Sequence, residues 1–227
     1  MNKNVLNLGF WAAIICLSSF IIWTISFVGI VITSPLYMWT NLEEYISFTK
    51  SNSQFFQYLA KSFMIVFALS YLVLVAVFQE IASAEKRIFA KIAVLFGLMF
   101  ALLASIHYFV QISTIRFAFQ ANDFEGIEHF LQAKPTSFLA SINVLGWTFF
   151  LGLSSLFLIF SFKTKEVTKG IKIGLFITTI SCLISGLSFL FQIDIITFFF
   201  LNLGLGGGML FLTISASRYF TKLKKII

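Results

Sequence analysis

The sequence predicts an all-α, polytopic transmembrane bundle with six spans and both termini in the cytoplasm. Three observations predict this class. The 227-residue chain is 59% hydrophobic and only 11% charged, which leaves too little polar surface for a soluble domain. Apolar runs long enough to cross the ~30 Å hydrocarbon core of a bilayer recur along its whole length. Basic residues concentrate in every second connection between these runs.

The apolar runs define six predicted spans, and each is expected to be a helix because backbone exposed to lipid must satisfy its own hydrogen bonds. The first run is too long for the apolar part of a cleaved signal peptide. The chain, 1–227, is therefore expected to form a single integral membrane domain. The spans are placed at residues 10–33, 59–81, 90–116, 138–161, 170–191 and 195–217.

The distribution of basic residues orients the spans. Of the 16 basic residues, only Lys50, Lys61, Arg116 and Lys134 lie at one set of span ends, and the other 12 lie at the opposite set. Short basic loops remain in the cytoplasm, so the second set and both termini are predicted to be inside. Orientation thus accounts for the net charge of +7, and nucleic acid is excluded as a partner.

The outer connections are expected to be ordered. The segment 40–44, Thr-Asn-Leu-Glu-Glu, and the segment 122–125, Asn-Asp-Phe-Glu, each combine a capping residue with a later acid, as at helix starts. Both predict short amphipathic helices on the outer surface, the second ending at Lys134-Pro135. The alternative is that these loops merely connect spans. The short connection near 192–194 predicts a tight hairpin of spans five and six.

Small residues follow one face of span five at the 3.5-residue period of a left-handed helix pair. This stripe predicts a packing seam against span six, where Gly204 and Gly208 have GxxxG spacing. A pore lining is the alternative, which the absence of acidic and amide side chains over most of the stripe disfavours. The stripe consists of Gly174, Thr178, Ser181, Ser185, Ser188 and Gln192.

Polar side chains inside the spans are costly and identify a candidate ligand pocket. On a regular helix, His107 lies roughly 15 Å below the outer end of its span. All of these residues fall in the outer half of the membrane, which predicts a small polar pocket open to the exoplasmic side. The alternative is that each one only hydrogen-bonds a neighbouring helix. The pocket residues are His107, Gln111, Thr114, Asn143, Trp147 and Asn202.

Two charged residues, Arg116 and Asp194, are expected at the outer rim of this pocket. Arg116 lies on the opposite side of its helix from His107, where its guanidinium is expected to reach the membrane interface or to pair with Asp123, Glu125 or Asp194.

No catalytic, cofactor or metal site is predicted. Cys16 and Cys182 lie in separate spans and form no ligand spacing, and the second histidine, His129, is in an outer loop. No intramembrane carboxylate is placed to orient His107, and no nucleophile elbow or phosphate loop is present. An enzymatic function is therefore disfavoured.

The run 142–153, which contains Asn143-Val144-Leu145-Gly146-Trp147, follows a polar outer loop. It resembles the fourth span of small six-helix bacterial integral membrane proteins of unknown function. The chain length, the long first outer loop and the basic tail are similar to that family as well. The resemblance implies a multi-pass protein of the bacterial plasma (inner) membrane, and it assigns no functional residue.

Three functional hypotheses follow. The favoured one is a transporter-like or sensor-like protein whose pocket receives a small molecule or a proton, and convergence of the polar residues would support it. The second is an accessory protein that binds another membrane protein through small-residue faces, which requires those faces to look outward. The third is a lipid-modifying enzyme, which requires a carboxylate beside His107. The bilayer is a partner in all three, and the oligomeric state is left open.

Overall fold

The computed structural model describes residues 2–34, 41–132, 136–163 and 167–225, and every regular element within them is helical. Six helices are long and apolar enough to cross a membrane. Each predicted span lies within one of them, apart from Phe191, which follows α6. The helices are α1 (Lys3–Thr33), α2 (Leu42–Ser51), α3 (Phe55–Ile81), α4 (Arg87–Val110, continued through Gln111–Ile115 and Arg116–Ala121), α5 (Phe138–Ser161), α6 (Lys169–Leu190) and α7 (Asp194–Lys224).

The six long helices form a closed ring in which each packs against its neighbours in chain order, and α7 packs against α1. Tyr71 fills the centre of the ring, fully buried, with its hydroxyl 3.2 Å from the Oγ atoms of both Ser154 and Ser155. Its ring meets Phe100 edge to face at 5.7 Å between centroids. The core is therefore filled near its middle, and the buried hydroxyl of Tyr71 is paired there.

The bundle has two distinct ends. At the basic end, Lys163 pairs with Glu85 at 2.7 Å, and Lys224 Nζ lies 4.1 Å from the centre of the Phe10 ring. The opposite end, here called the cap end, holds α2 and the connection between α4 and α5. There, Lys50 Nζ donates to Asn122 Oδ1 at 2.8 Å. Both chain ends therefore extend from the basic end.

The small-residue stripe of α6 packs against α7, as predicted. A Cβ atom added to Gly174 would lie 2.6 Å from the backbone nitrogen of Leu212, and one added to Gly208 would lie 2.8 Å from the nitrogen of Thr178. The backbones thus approach too closely for any side chain. The packing interpretation is confirmed, and the pore-lining alternative is wrong for the stripe from Gly174 to Ser188, all of whose members are buried.

The predicted hairpin between α6 and α7 is confirmed as well. Gln192 adopts the left-handed conformation (φ 57°), and the Ile193 amide donates to the Ser188 carbonyl at 2.8 Å. The Thr197 hydroxyl then donates to Ser188 Oγ at 3.1 Å. These bonds reverse the chain within three residues and set α7 antiparallel to α6.

One of the two predicted cap helices forms and the other does not. Asn41 caps α2, because its side chain accepts from the Glu44 amide at 3.0 Å, and Thr40 lies outside the described residues. The prediction of a helix from Asn122 is wrong. The helix α4 continues to Ala121, so Asn122 ends it in the left-handed conformation (φ 53°). Only a 3₁₀ turn, Ile127–Phe130, follows, and the predicted stop at 134–135 is outside the described residues.

The outer surface of the ring is strongly apolar. Trp11, Ile25, Ile32 and Phe198 are each more than half exposed, and they belong to the two helices α1 and α7. Helices that are apolar on their outer as well as inner faces are typical of membrane spans. The fold thus suggests a membrane-embedded protein.

Candidate functional site

A cavity of about 340 Å³ lies at the cap end and is partly open to the surface. Its size is at the lower end of the range for small-molecule sites. Its walls come from α1, α3, α4, α5 and α7, together with Gln132 from the connection before α5. The apolar part of the lining is formed mainly by Phe20, Trp23, Phe27, Ile30, Met64, Leu201 and Leu205.

Aromatic rings close the cavity towards the basic end. Trp147 stacks on Phe67 with centroids 5.7 Å apart and meets Phe100 edge to face at 4.8 Å. Phe20 contributes to the same floor, since Gly206 of α7 leaves room for its ring: an added Cβ would lie 3.0 Å from Phe20 Cζ. The cavity therefore ends at these rings and does not extend towards the basic end.

Asn143 and Trp147 of α5 contribute polar side chains to the wall of this cavity. Asn143 Oδ1 and Trp147 Nε1 are buried, and neither has a hydrogen-bond partner of normal geometry. The Tyr108 hydroxyl lies beside both side chains. Because these two atoms are fully buried, they lie behind the cavity surface beside Tyr108, and a ligand in the cavity would reach the other polar groups of the lining, of which Lys61 carries the charge.

Asn202 reaches the cavity from α7. Its Nδ2 donates to the Phe198 carbonyl one turn earlier at 2.8 Å. This bond fixes the side chain along its own helix and leaves its Oδ1 free of that bond as an acceptor. Three of the six predicted pocket residues, Asn143, Trp147 and Asn202, thus line one cavity.

Helical irregularities coincide with these residues. The α5 segment Gly146–Phe150 and the α7 segment Phe200–Gly204 are π-helical turns, and they supply Trp147, Leu201 and Asn202 to the lining. A π-turn inserts one extra residue and turns the following side chains, and such turns are frequent at functional sites. A similar turn, Gln111–Ile115, interrupts α4. The positions of these turns cannot be derived from apolar periodicity.

Lys61 is the important residue that the sequence analysis did not assign to the pocket. It lines the cavity from α3, one turn after Gln57, which also lines it. It is partly buried, and no ion pair involves it within the described residues. The available signal was its position: a lone cation inside the predicted span 59–81, where a charge is costly.

His107 and Gln111 are buried but do not line the cavity. The Nδ1 atom of His107 lies 3.0 Å from the Leu139 carbonyl, and Gln111 Nε2 donates to the Phe130 carbonyl. His107 therefore holds the first turn of α5 against α4, and Gln111 holds the 3₁₀ turn before it. Because α4 continues to Ala121, His107 is level with the first turn of α5 rather than deep in the bundle.

The remaining predicted residues also lie apart from the cavity. Thr114 is exposed and borders a separate groove beside the 3₁₀ turn. Arg116 is exposed and lies 5.1 Å from the centre of the Phe117 ring. In residues 41–132 and 167–225 it pairs with none of the three carboxylates, so the ion pair, one of its two expected environments, is not formed. Asp194 is exposed in the first turn of α7, where the helix dipole favours an acid.

His107 has no carboxylate partner in the described part of the chain, since its Nε2 atom makes no hydrogen bond there. Groups of three or more His, Cys, Asp or Glu residues suited to a metal are likewise not found in that part. The two cysteines, Cys16 and Cys182, are free and fully buried in separate helices.

Comparison of the chain with protein-family models, with curated proteins and with solved structures gives no match.

Proposed function

We propose that the chain, 1–227, is one multi-pass membrane domain whose cap-end cavity faces the exoplasmic side and binds a small ligand. The protein is then transporter-like or sensor-like. The observation that carries this proposal is the cavity itself, whose mainly apolar lining includes the cation Lys61 together with the amide side chains of Asn143 and Asn202. Convergent polar groups in an otherwise apolar concavity are typical of ligand sites.

The exposed surface and the interior of the helical bundle both support insertion in a bilayer. The exposed side chains of the long helices are mainly apolar, while serine and threonine hydroxyls are buried and bonded within the bundle. Basic residues concentrate at one end, which supports a cytoplasmic position for that end.

The closed floor favours a sensor-like over a transporter-like mode in this conformation. Below Trp147, the core is filled, and near the basic end Phe78 packs against Phe162 and Phe220 with centroids 5.5 Å and 5.6 Å apart. Transport would require these rings to separate, whereas sensing requires only that ligand binding shift the packing around the cavity.

The two other hypotheses have less support. The small-residue faces of α6 and α7 pack against each other, so they are not available to another membrane protein. The Nε2 atom of His107 has no described hydrogen-bond partner, so the requirement for a carboxylate at that position is not met.

The proposal is tested by filling the cavity. Ala60 is a lining residue of α3, so Ala60→Phe should occupy the space and displace a ligand. Val66→Phe adds a ring of the same size to the same helix at a position that is 40% exposed, and it serves as the matched control. Small molecules retained by each purified protein are identified by mass spectrometry after extraction.

Wild type and Val66→Phe are expected to retain the same compound, and Ala60→Phe is expected to lose it while still unfolding cooperatively on heating. Equal retention of every compound by all three proteins would show that the cavity is not a ligand site.

A further inference from the structure

The lining of the cavity carries one sign of charge. Lys61 is its only charged side chain among the described lining residues, and the polar residues around it are amides: Gln57, Gln132, Asn143 and Asn202. No carboxylate within those residues neutralises Lys61. It lies roughly 9 Å along α3 from the start of the helix, so its ammonium is near the cap end of the bundle. An unpaired cation in such a setting attracts an anion.

Polarity changes with depth in the cavity. On α3, Gln57 and Lys61 precede Met64, and on α7 Asn202 precedes Leu205, in both cases with the polar residue nearer the cap end. On α1 the apolar side chains extend from Ile30 to Phe20, a distance of roughly 15 Å. The α3 wall is thus polar near the cap end and apolar below, whereas the α1 wall is apolar over its whole depth.

We propose that the ligand is a single-chain anionic amphiphile, a carboxylate whose head binds Lys61 and whose hydrocarbon chain extends along α1 towards Phe20. This inference rests on the proposed function and names the ligand class of the same cavity. One lysine matches one negative charge, and the amide groups of the lining supply further donors to an acceptor-only head. The volume of about 340 Å³ suits one short chain.

The test uses the full-length protein in nanodiscs of zwitterionic lipid. Of the four tryptophans, Trp23 and Trp147 line the cavity, so Trp11→Phe with Trp39→Phe restricts emission to these two. The probes are 12-bromododecanoate, its methyl ester and 12-bromododecyltrimethylammonium, because bromine quenches tryptophan at contact. The part of the quenching that saturates with probe concentration measures binding to the protein. The part that rises linearly with concentration measures probe dissolved in the lipid.

The carboxylate is expected to bind roughly tenfold or more tightly than the ester, as a charge-assisted hydrogen bond allows, and the ammonium probe is expected not to saturate. Lys61→Met should remove the preference for the carboxylate, and Lys61→Arg should retain it. Lys50→Met is the matched control: Lys50 is at the cap end but bonds Asn122 outside the cavity, so the preference should not change.

Equal affinity of wild type for carboxylate and ester overturns the inference without any variant. It would leave the proposed function standing, since the ester would still saturate the cavity. Absence of saturation by the carboxylate also overturns the inference, and the retention experiment with Ala60→Phe then decides separately whether the cavity binds another ligand.

Discussion

His107 illustrates how a single buried side chain acquires a structural role. The Leu139 carbonyl can only accept, so the Nδ1 atom of His107 must carry the proton of this hydrogen bond. In the neutral ring, Nε2 is then an acceptor, and it has no partner within the described residues. The imidazole thus serves to hold the start of α5 against α4, and the function of a proton site, which the sequence also suggested, has no second group in this geometry.

The first prediction tests this role of His107. His107→Asn should be tolerated, because an amide nitrogen can replace Nδ1 as the donor to Leu139. His107→Leu should lower the thermal unfolding midpoint in detergent, with a cost on the order of 1 kcal/mol or less, as found for hydrogen bonds within membranes. Amide exchange of residues 139–143, at the start of α5, should also become faster in the leucine variant. Identical midpoints and exchange in both variants would contradict the tethering role.

At the scale of the residue, the sequence identifies the polar side chains inside the spans. It does not show at which level along the bundle axis each of them lies. Apolar context identified Asn143, Trp147 and Asn202, which the structure places on one cavity. It grouped them with His107 and Gln111, because the continuation of α4 to Ala121 is invisible in a hydropathy pattern. From the sequence, Lys61 is assigned to the charges that orient the spans, because a basic residue near the end of a span normally acts as such a signal.

The elements of the fold were predictable because lipid restricts the backbone to helices. Apolar length alone determined all six long helices. The π-turns of α4, α5 and α7 were not predictable, since each depends on packing against neighbouring helices. In α5, Gly146 is part of such a turn, and a Cβ added there would lie 3.3 Å from Leu103 Cβ and 3.8 Å from the Phe100 carbonyl.

The second prediction concerns the contact between α6 and α7. Gly174→Ala should lower the unfolding midpoint, because the new Cβ would meet the Leu212 backbone, which cannot move away as a flexible side chain would. Overpacking of this kind costs about 1–3 kcal/mol. Gly207→Ala is the matched control, because nothing lies within 4 Å of its added Cβ. It should leave the midpoint unchanged or raise it, since alanine is the better helix former.

Both variants are measured in the same detergent by the loss of tertiary near-ultraviolet circular dichroism. If Gly174→Ala were as stable as Gly207→Ala, the close approach of the two backbones would not contribute to the stability of the bundle.

The whole molecule is a ring of six helices with different chemistry at its two ends. The long helices pack in chain order, and the contact between α1 and α7 closes the ring. The start of α1 and the end of α7 therefore both lie at the basic end. The cavity is at the other end, where Gln132, from the connection before α5, joins its lining. This separation means that a ligand from the outer leaflet would meet Lys61 without crossing the bundle, provided that the cap end faces outward.

The third prediction tests that orientation in intact bacterial cells with a membrane-impermeant maleimide. Native Cys16 and Cys182 are fully buried, so they should not react in the folded protein. Glu125→Cys places a thiol at an exposed cap-end position, and Lys225→Cys places one at an exposed position of the basic end. The asymmetry of 12 to 4 basic residues predicts labelling of Glu125→Cys in intact cells and of Lys225→Cys only after permeabilisation. Labelling of both variants in intact cells would contradict six spans, and the reverse pattern would place the cavity on the cytoplasmic side.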